Sequence, residues 1–343
     1  MRASWLLFAG MCLVATAEVA PSQAQDVEGF YRGKQIAILV GSAAGSGYDL
    51  YARLLARHMG RHLAGNPTVI VQDMPGGGGL TAVNHLYNVA AKDGTVIGAV
   101  QRGATIAPLI QPEGVKYDVA KLAWLGSTNS ETGVLAVWHT APQQTIQDVM
   151  KTELLIGGSG PATDSETFPR VYNKTIGTRL RIISGYESTA PILLAMERGE
   201  VQGIGNSSWS NWTTSYAHYL EEKQVRILLQ AGLQKHPDLS GVPMALDLAR
   251  GPAERQILEL YLASNTIGRP FVAPPGLPEA RVAALRAAFD QSMRDPDLLA
   301  EAAKEKLDIS ALDGAYIQAT LQRLFATPPD VVEAARKAIL PDK

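Results

Sequence analysis

Three glycine-rich loops indicate the main chemistry of this sequence. They span residues 41–47, 75–79 and 157–163, and each lies between an apolar run and a segment with helical spacing. A loop that leads from a strand into a helix exposes the first N–H groups of that helix, whose dipole is positive at this end. Glycine also allows a ligand to approach the backbone closely. Together the loops predict a site for an anionic ligand, although each loop alone is also compatible with a glycine turn that serves packing.

Arg102 and a pair of tryptophans are the side chains that could add to such a site. Arg102 follows a strand predicted to end at Val100, and its guanidinium could hold a carboxylate with two hydrogen bonds. An ion pair within the protein is an equally good interpretation of Arg102. Trp209 and Trp212 could close over a ligand ring, but we favour a contact between protein surfaces.

Other chemistries lack the residues that they require. The glycine spacing of the first loop differs from G-x-G-x-x-G, and neither a P-loop nor a G-x-S-x-G motif occurs, so we expect no nucleotide cofactor and no serine elbow. His58 and His62 would share a helix face, but no third metal ligand is evident. Because Arg53, Arg57 and Arg61 surround them, we expect a solvated basic face there and no metal site.

Composition and charge restrict the class of protein. Of the 343 residues, 46% are hydrophobic and 19% are charged, which suffices for a buried core and excludes a disordered chain. The formal net charge is −2, from 31 basic and 33 acidic residues. We therefore expect neither nucleic acid nor an anionic membrane as a partner.

The N-terminus predicts export from the cytoplasm. Residues 1–24 combine a basic start, an apolar run from Trp5 to Ala17 and a small-x-small cleavage site, the pattern of a signal peptide. The run is too short to span a bilayer. The single cysteine, Cys12, lies within this segment, so we expect a periplasmic protein without a disulfide, a catalytic thiol or a cysteine-based zinc site.

Apolar runs alternate with segments of helical spacing in two stretches of the chain. Strands are predicted at 35–41, 68–71 and 95–100 in the first stretch, and at 154–157, 180–184, 201–204 and 225–229 in the second. This alternation predicts two doubly wound α/β domains with mostly parallel sheets. The tail from Pro278 is mainly helical, without strands of its own, and is expected to complete the first domain. We place that domain at 25–127 plus 241–343, and the second at 128–240.

Six motifs follow one another along nearly the whole mature chain, at 41–49 (GSAAGSGYD), 71–79 (VQDMPGGGG), 92–95 (KDGT), 185–188 (GYES), 197–201 (ERGEV) and 269–276 (RPFVAPPG). In this order they resemble the Bug, or TctC-like, family of extracytoplasmic solute receptors of tripartite tricarboxylate transporters. The resemblance implies a periplasmic-binding-protein arrangement, a type II-like venus flytrap, which closes its two domains on a small organic carboxylate. It also implies membrane permease subunits as partners and no cofactor.

The ligand-binding loops of the family can be carried over onto this sequence residue by residue. Two loops of the first domain are expected to hold the ligand carboxylate through backbone N–H groups and water, and loops of the second domain to close over it. The expected ligand-binding residues, with Arg102 added from its place after a strand, are Ser42, Ala43, Ala44, Gly45, Ser46, Tyr48, Asp49, Gly76, Gly77, Gly78, Gly79, Arg102, Ser159, Gly160, Thr163, Asp164, Ser165, Tyr186, Ser188, Thr189, Ala190 and Ser207.

Three positions depart from the family pattern. Ser46 stands where a glycine is usual, and its hydroxyl could donate to a ligand or fill space. Asp73, followed by Met74, replaces the usual Asn before Pro-Gly. Because a carboxylate would repel an anionic ligand, we expect Asp73 to point away and cap a backbone group. Gly77 stands where another small residue is usual.

The residues and the resemblance together predict a receptor rather than an enzyme. The expected protein is a periplasmic monomer that captures a small organic carboxylate between two domains and hands it to permease subunits. Two alternatives stay open. One is an exported hydrolase that uses Ser159 with a base that the sequence does not reveal. The other is the same fold acting as a sensor subunit that presents its closed form to a signalling partner.

Overall fold

The structure, a computed structural model, describes residues 22–161 and 163–340. Its strands are, in chain order, β1 (Gln35–Val40), β2 (Thr68–Asp73), β3 (Val96–Ala99), β4 (Ala123–Ser127), β5 (Gly133–Trp138), β6 (Leu154–Gly158), β7 (Leu180–Ser184), β8 (Gly203–Ser208), β9 (Val225–Ala231), β10 (Pro270–Ala273) and β11 (Leu312–Asp313). Its α-helices are α1 (Ser22–Tyr31), α2 (Gly47–Met59), α3 (Leu80–Asn88), α4 (Ala107–Ile110), α5 (Ile146–Lys151), α6 (Asp164–Thr175), α7 (Thr189–Glu197), α8 (Trp209–Trp212), α9 (Ala217–Glu221), α10 (Pro252–Ala263), α11 (Glu279–Ser292), α12 (Pro296–Lys304), α13 (Gly314–Phe325) and α14 (Pro329–Ala338). The predicted signal peptide lies outside the described residues except for its last three, which open α1.

The first sheet has six strands in the order β11-β4-β10-β3-β1-β2. Strand β1 pairs in parallel with β2 and β3, whereas β10 runs antiparallel to β3 and β4. The interior strand β1 is buried along most of its length, which accounts for its nearly unbroken apolar sequence, QIAILV. We call this sheet, with the helices packed on it, the first lobe.

The second sheet has five strands in the order β7-β6-β8-β5-β9. Strand β6 pairs in parallel with β7 and β8, and β5 runs antiparallel to β8 and β9. The strand predicted at 201–204 begins two residues later and continues to Ser208, because its polar C-terminal half is buried as well. We call this sheet, with its helices, the second lobe.

The prediction of mostly parallel sheets was wrong. The parallel pairs all lie within the two runs of alternating strand and helix, β1 to β3 and β6 to β8. Strands β5 and β10 each enter their sheet after the chain has crossed from the other lobe, and both run antiparallel to their neighbours. The two sheets are therefore mixed.

Two crossing segments, residues 128–132 and 264–269, carry the chain between the lobes. They are hydrogen-bonded to each other along their length: the N–H of Thr128 donates to the carbonyl of Arg269 (3.2 Å), that of Gly268 to Asn129 (3.0 Å), and that of Glu131 to Asn265 (2.9 Å). The crossings therefore lie side by side rather than at opposite ends of the molecule.

The C-terminal helices connect to both lobes. Helices α11 and α13 pack on β4 of the first sheet, and between them the chain forms β11, a two-residue strand that the helical tail was not expected to contain. Helix α14 packs against α4 of the first lobe and α6 of the second. It is held to α10 by a 2.9 Å hydrogen bond from the Tyr261 hydroxyl to the carbonyl of Ala335.

The basic face around His58 and His62 was expected to be solvated, but another helix covers part of it. Helix α12 covers it with carboxylates: His58 lies 2.5 Å from Glu301, and His62 lies 2.6 Å from Asp295. Arg57 pairs with Glu301 (2.7 Å) and Arg61 with Asp295 (2.6 Å). The prediction was wrong for these four residues because they face another helix of the same lobe, a packing that local spacing does not reveal. We call this group the α2–α12 charge cluster. Arg53 pairs instead with Asp49 and Asp73.

Candidate functional site

A cavity of about 310 Å³ lies between the two lobes. Both lobes line it, at the ends of strands where glycine-rich loops lead into helices. The sequence-predicted residues that the structure brings together there are Ser42, Ala43, Ala44, Gly45, Ser46, Tyr48, Gly76, Gly77, Gly78, Gly79, Arg102, Ser159, Thr163, Asp164, Ser165, Ser188, Thr189, Ala190 and Ser207.

The first loop of the first lobe ends at the start of α2. The Ser46 hydroxyl caps this helix by accepting the N–H of Asp49 (3.3 Å), and it also lies 2.6 Å from the Ser42 hydroxyl. The hydroxyl that departs from the family pattern thus stabilises the helix start. Within the described residues, the N–H groups of Gly47 and Tyr48 have no acceptor, so both are available to a ligand.

The second loop of the first lobe has a backbone that requires glycine. Gly76, Gly77, Gly78 and Gly79 have φ angles of 134°, 56°, 65° and 94°, a region that other residues rarely adopt. The loop leads into α3, and the N–H groups of Gly77 and Gly78 find no acceptor among the described residues. This loop therefore presents a second pair of backbone donors to the same cavity.

Two helices of the second lobe also begin at the cavity. Asp164 and Ser165 open α6, and Thr189 and Ala190 open α7. Four helix N-termini, two from each lobe, thus surround one space, and their dipoles together favour an anion there.

Arg102 spans the gap between the lobes. It belongs to the first lobe, just after β3, yet its guanidinium lies 2.5 Å from the Asp164 carboxylate and donates to the Ser208 hydroxyl (3.1 Å) in the second. Its side chain is only 2% exposed. Burial alone would lower the pKa of Arg102, but the negative charge of Asp164 and neighbouring acidic groups raise it, so the guanidinium stays charged. Arg102 is thus both an internal ion pair and part of the cavity wall.

Arg269 is a site residue that the sequence reasoning missed. It lies just before β10, and its guanidinium stacks on the Tyr48 ring at 4.6 Å and pairs with Glu131 at 3.4 Å. It also donates to the hydroxyl of Ser208 (3.4 Å) and the side-chain carbonyl of Asn211 (3.3 Å). The sequence did contain a pointer to Arg269, its place in the 269–276 motif, but that motif served only as evidence of the family resemblance. The other lining residues absent from the set of expected ligand-binding residues are Gly41, Gly47, Pro75, Gln101, Gly103, Glu187, Asn206, Ser208, Asn211 and Tyr216, of which the first three belong to the predicted glycine-rich loops.

Three predicted ligand-binding residues lie outside the cavity lining. The buried Asp49 supports the first loop from behind, since its carboxylate accepts the Gly45 N–H (2.7 Å) and pairs with Arg53 (2.8 Å). The N–H of Gly160 donates to the Glu166 carboxylate (2.9 Å). Tyr186 packs against the apolar core of the second lobe.

Asp73 points away from the cavity, but it does not cap a backbone group as predicted. Its carboxylate pairs with Arg53 at 3.3 Å, because Arg53 already lies beside it to hold Asp49. Burial and the nearby charge of Asp49 raise the pKa of Asp73, while the charge of Arg53 lowers it.

The tryptophans of α8 do not line the cavity either. Trp212 is fully buried, and its indole N–H donates to the Ser207 hydroxyl at 2.7 Å.

Among the described helices, none combines the length and the apolar character that a bilayer crossing requires. Nor do the described side chains include a cluster of three or more His, Cys, Asp or Glu residues that would hold a metal ion.

Comparison with known proteins identifies the family. The family model described as the tripartite tricarboxylate transporter family receptor matches residues 51–326. A search of curated proteins finds no match.

Among solved structures, the chain is similar to the periplasmic binding protein BugD, with a TM-score of 0.70 at 20% identity over 90% of this chain and 98% of that one. It is also similar to MatC from Rhodopseudomonas palustris with bound malate (TM-score 0.68, 19% identity, 90% and 99% covered). Rpa4515 of R. palustris, with adipate, gives a TM-score of 0.66 at 17% identity, over 88% and 97%.

These structural likenesses confirm the predicted fold class, two α/β domains in a periplasmic-binding-protein arrangement. The family model covers most of the chain, from the helix after the first glycine loop to the end of α13. It follows that this chain belongs to the receptor family of the tripartite tricarboxylate transporters.

Proposed function

We propose that this protein captures a small organic carboxylate between its two lobes, outside the cytoplasm, and delivers it to the permease subunits of a tripartite tricarboxylate-type transporter. The observation that carries the proposal is the convergence of four helix N-termini, two from each lobe, on one cavity. Because residues of both lobes line this cavity, a bound ligand would join the lobes, as a receptor that closes on its ligand requires.

Hydrogen bonds from the backbone donors can supply the binding free energy that a micromolar receptor requires. A charge-assisted hydrogen bond contributes roughly 1.5–3 kcal/mol, and a helix end roughly 0.3–2 kcal/mol. Three or four such bonds with two helix ends give on the order of 5–16 kcal/mol before the costs of ordering and closure. Micromolar binding requires about 8 kcal/mol.

The size of the cavity limits the ligand. Ligand sites commonly measure roughly 300–1,000 Å³, and this one, at about 310 Å³, is at the small end. Two of the similar structures described above hold malate and adipate, both small acids. We therefore propose a ligand of that size for this chain.

The boundaries, cellular location and assembly of the protein belong to the same proposal. We propose lobes formed by residues 25–127 with 270–340 and by 133–263, joined by the two crossing segments. The second boundary lies later than the sequence pattern suggested, because Met244 bridges Gln230 of β9 and α10 packs on α6 of the second lobe. A periplasmic location agrees with the family and with the predicted signal peptide. We also propose a monomer, because residues of both lobes of one chain line the cavity from opposite sides.

The hydrolase alternative lacks a base at its expected nucleophile. The Ser159 hydroxyl lies 2.9 Å from the Ser165 hydroxyl and 3.2 Å from that of Thr163. Among the described residues, neither a histidine nor a carboxylate is hydrogen-bonded to it. Ser159 is thus suited to hydrogen bonding and not to covalent catalysis.

Calorimetry with matched probes tests the proposal. We expect at least one of malate, glutarate, adipate and 4-aminobutyrate to bind with a Kd in the micromolar range, and its carboxamide analogue to bind at least about a hundredfold more weakly, because the amide lacks the negative charge that the helix ends favour. Equal binding of an acid and its amide, or binding of neutral solutes alone, would contradict it.

A further inference from the structure

We infer that Asp164 makes this cavity select a carboxylic acid whose other end donates hydrogen bonds, an ammonium group in preference to a hydroxyl and a hydroxyl in preference to a second carboxylate. The inference rests on the proposed function, because it assumes that one carboxylate of the ligand is held by the glycine-rich loops of the first lobe. It goes further by assigning a chemical group to the opposite end of the ligand.

The charges of the two buried arginines are already balanced within the protein. Arg102 pairs with Asp164 at 2.5 Å, and Arg269 pairs with Glu131 at 3.4 Å. Both guanidinium groups are only 2% exposed. Neither arginine therefore has an uncompensated charge that would bind a second carboxylate of the ligand.

The two carboxylates differ in what they can still bind. One oxygen of Glu131 accepts the N–H groups of Thr132 (3.0 Å) and Ser210 (3.3 Å), and the other accepts the Ser210 hydroxyl (2.5 Å) and faces Arg269. With 3% exposure, Glu131 is fully engaged. It has a structural role only.

Asp164 has an oxygen to spare. Its Oδ2 contacts Arg102, but no hydrogen bond from the described residues reaches its Oδ1. The side chain is 23% exposed and lines the cavity. A carboxylate oxygen in this position accepts hydrogen bonds and donates none, so the ligand group that meets it must be a donor.

The helix ends of the first lobe are better places for the ligand carboxylate. Helix α3 has no acidic residue in its first turn. Asp49 lies in the first turn of α2, but it is paired with Arg53 outside the cavity lining. Asp164 by contrast is the first residue of α6, where its own charge already occupies the positive helix end. Glu187, also in the lining near α7, adds a second negative charge to the second-lobe side.

These placements give the cavity two unlike ends. A second ligand carboxylate beside the Oδ1 of Asp164 would bring two hydrogen-bond acceptors together with no proton between them, and the negative charge of Glu187 on the same side adds to the cost. An ammonium group there would form a hydrogen bond in which donor and acceptor are both charged, and a hydroxyl one in which only the acceptor is charged. The ranking of ligands follows from this difference.

Two sets of probes of equal chain length test the inference by calorimetry: 4-aminobutyrate, 4-hydroxybutyrate and glutarate, and 5-aminopentanoate, 5-hydroxypentanoate and adipate. For the protein with its natural sequence we expect the amino acid of at least one set to bind about tenfold or more tighter than the diacid, with the hydroxy acid between them. In Asp164→Asn the amino acid should lose about tenfold, and the diacid should gain, because Arg102 is then left without its carboxylate.

The control is Asp297→Asn, the same chemical change on the exposed surface of α12, where the side chain is 74% exposed. It should leave the ranking unchanged. If acids bind but the diacid binds as tightly as the amino acid in both sets, the inference is wrong while the proposed function stands. If neither these acids nor malate bind, the proposed function fails and this inference with it. If malate alone binds, the inference is wrong while the proposed function stands. Should Asp164→Asn not fold, as judged from its thermal unfolding, the ranking in the natural protein still decides.

Discussion

The glycines at 76–79 show most directly how single residues shape the cavity. All have positive φ angles, so that the backbone turns its N–H groups outward just before α3 begins. A Cβ added at Gly77 would lie 3.6 Å from the Leu80 Cβ, which is an ordinary contact. A side chain at this position therefore fits the protein, and its cost to the protein comes from the backbone conformation.

We expect Gly77→Ala to weaken carboxylate binding by about tenfold or more while lowering the free energy of unfolding by only about 1–2 kcal/mol, the usual strain of a non-glycine residue at positive φ. The new methyl group stands between the ligand and the backbone donors. Calorimetry and urea denaturation measure the two effects.

Gly276→Ala is the matched control for this prediction. Gly276 also has a positive φ of 81°, with nothing within 4 Å of an added Cβ, and it does not line the cavity. It should show a similar loss of stability with unchanged affinity. If both variants lose affinity equally, the Gly77 loop does not contact the ligand.

At the scale of single residues, the sequence predicted those cavity-lining residues that lie in loops with a recognisable local pattern. Ser42–Tyr48, Gly76–Gly79 and the 159–165 loop could be predicted because glycine and small polar residues follow apolar runs. Arg269 could not be predicted as a site residue, because its role depends on Glu131, Tyr48 and Asn211 being brought to it from three other parts of the chain. No local pattern contains that information.

At the scale of elements, the α2–α12 charge cluster joins two helices that are more than 200 residues apart in the chain. Asp295 is central to it, since it caps α12 by accepting the Asp297 N–H (2.9 Å) and also pairs with Arg61 and His62. Burial would raise the pKa of Asp295, but these hydrogen bonds and the charge of Arg61 lower it to about 2.

This shift predicts a loss of stability in acid. Because the folded-state pKa of Asp295 is lower than the ordinary value of 3.8, the contribution of this carboxylate to stability is fully present above about pH 4 and is lost as the pH falls towards about 2. Asp295→Asn keeps a good helix cap but removes the charge. We expect it to lower the free energy of unfolding by no more than about 2 kcal/mol near neutral pH, and by less at about pH 3.

Urea denaturation at several pH values measures this difference. Asp297→Asn, which removes a charge that is 74% exposed from the same helix turn, serves as the comparison and should show little pH-dependent effect. A difference between Asp295→Asn and the natural protein that stays constant from about pH 7 to about pH 3 would show that the pKa shift is not the cause.

Local patterns in the sequence predicted strands and helices, but they could not predict the relative direction of paired strands. The apolar runs at 35–41 and 154–157 correspond to β1 and β6. The antiparallel strands β5 and β10 follow from where the chain re-enters each sheet, and hydropathy says nothing of direction. The polar end of β8 was missed because Asn206, Ser207 and Ser208 are buried through hydrogen bonds rather than through apolar packing.

At the scale of the whole molecule, α14 makes the lobes depend on each other for stability. It contacts α4 in the first lobe and α6 in the second, and Arg336 donates to the carbonyl of Leu109 at 2.6 Å. Ala335 lies fully buried at the contact with α10.

Ala335→Asp should therefore destabilise both lobes, because it buries a charge without a partner, at a cost of about 3 kcal/mol or more. We expect hydrogen exchange to accelerate in α4 and in α6 alike. Lys337→Asp, on the exposed side of the same helix, should have a small effect. Faster exchange confined to one lobe would contradict the joint role of α14.

The paired crossing segments also determine how the lobes can move. Because residues 128–132 and 264–269 run side by side and are bonded to each other, neither connection lengthens without breaking those bonds. Sliding and sideways twisting of the lobes would break those hydrogen bonds, whereas rotation about the line of the two segments would keep them. If the cleft opens by this rotation, the contacts of α14 with both lobes must adjust with it, and one distance measured across the cleft would follow the motion.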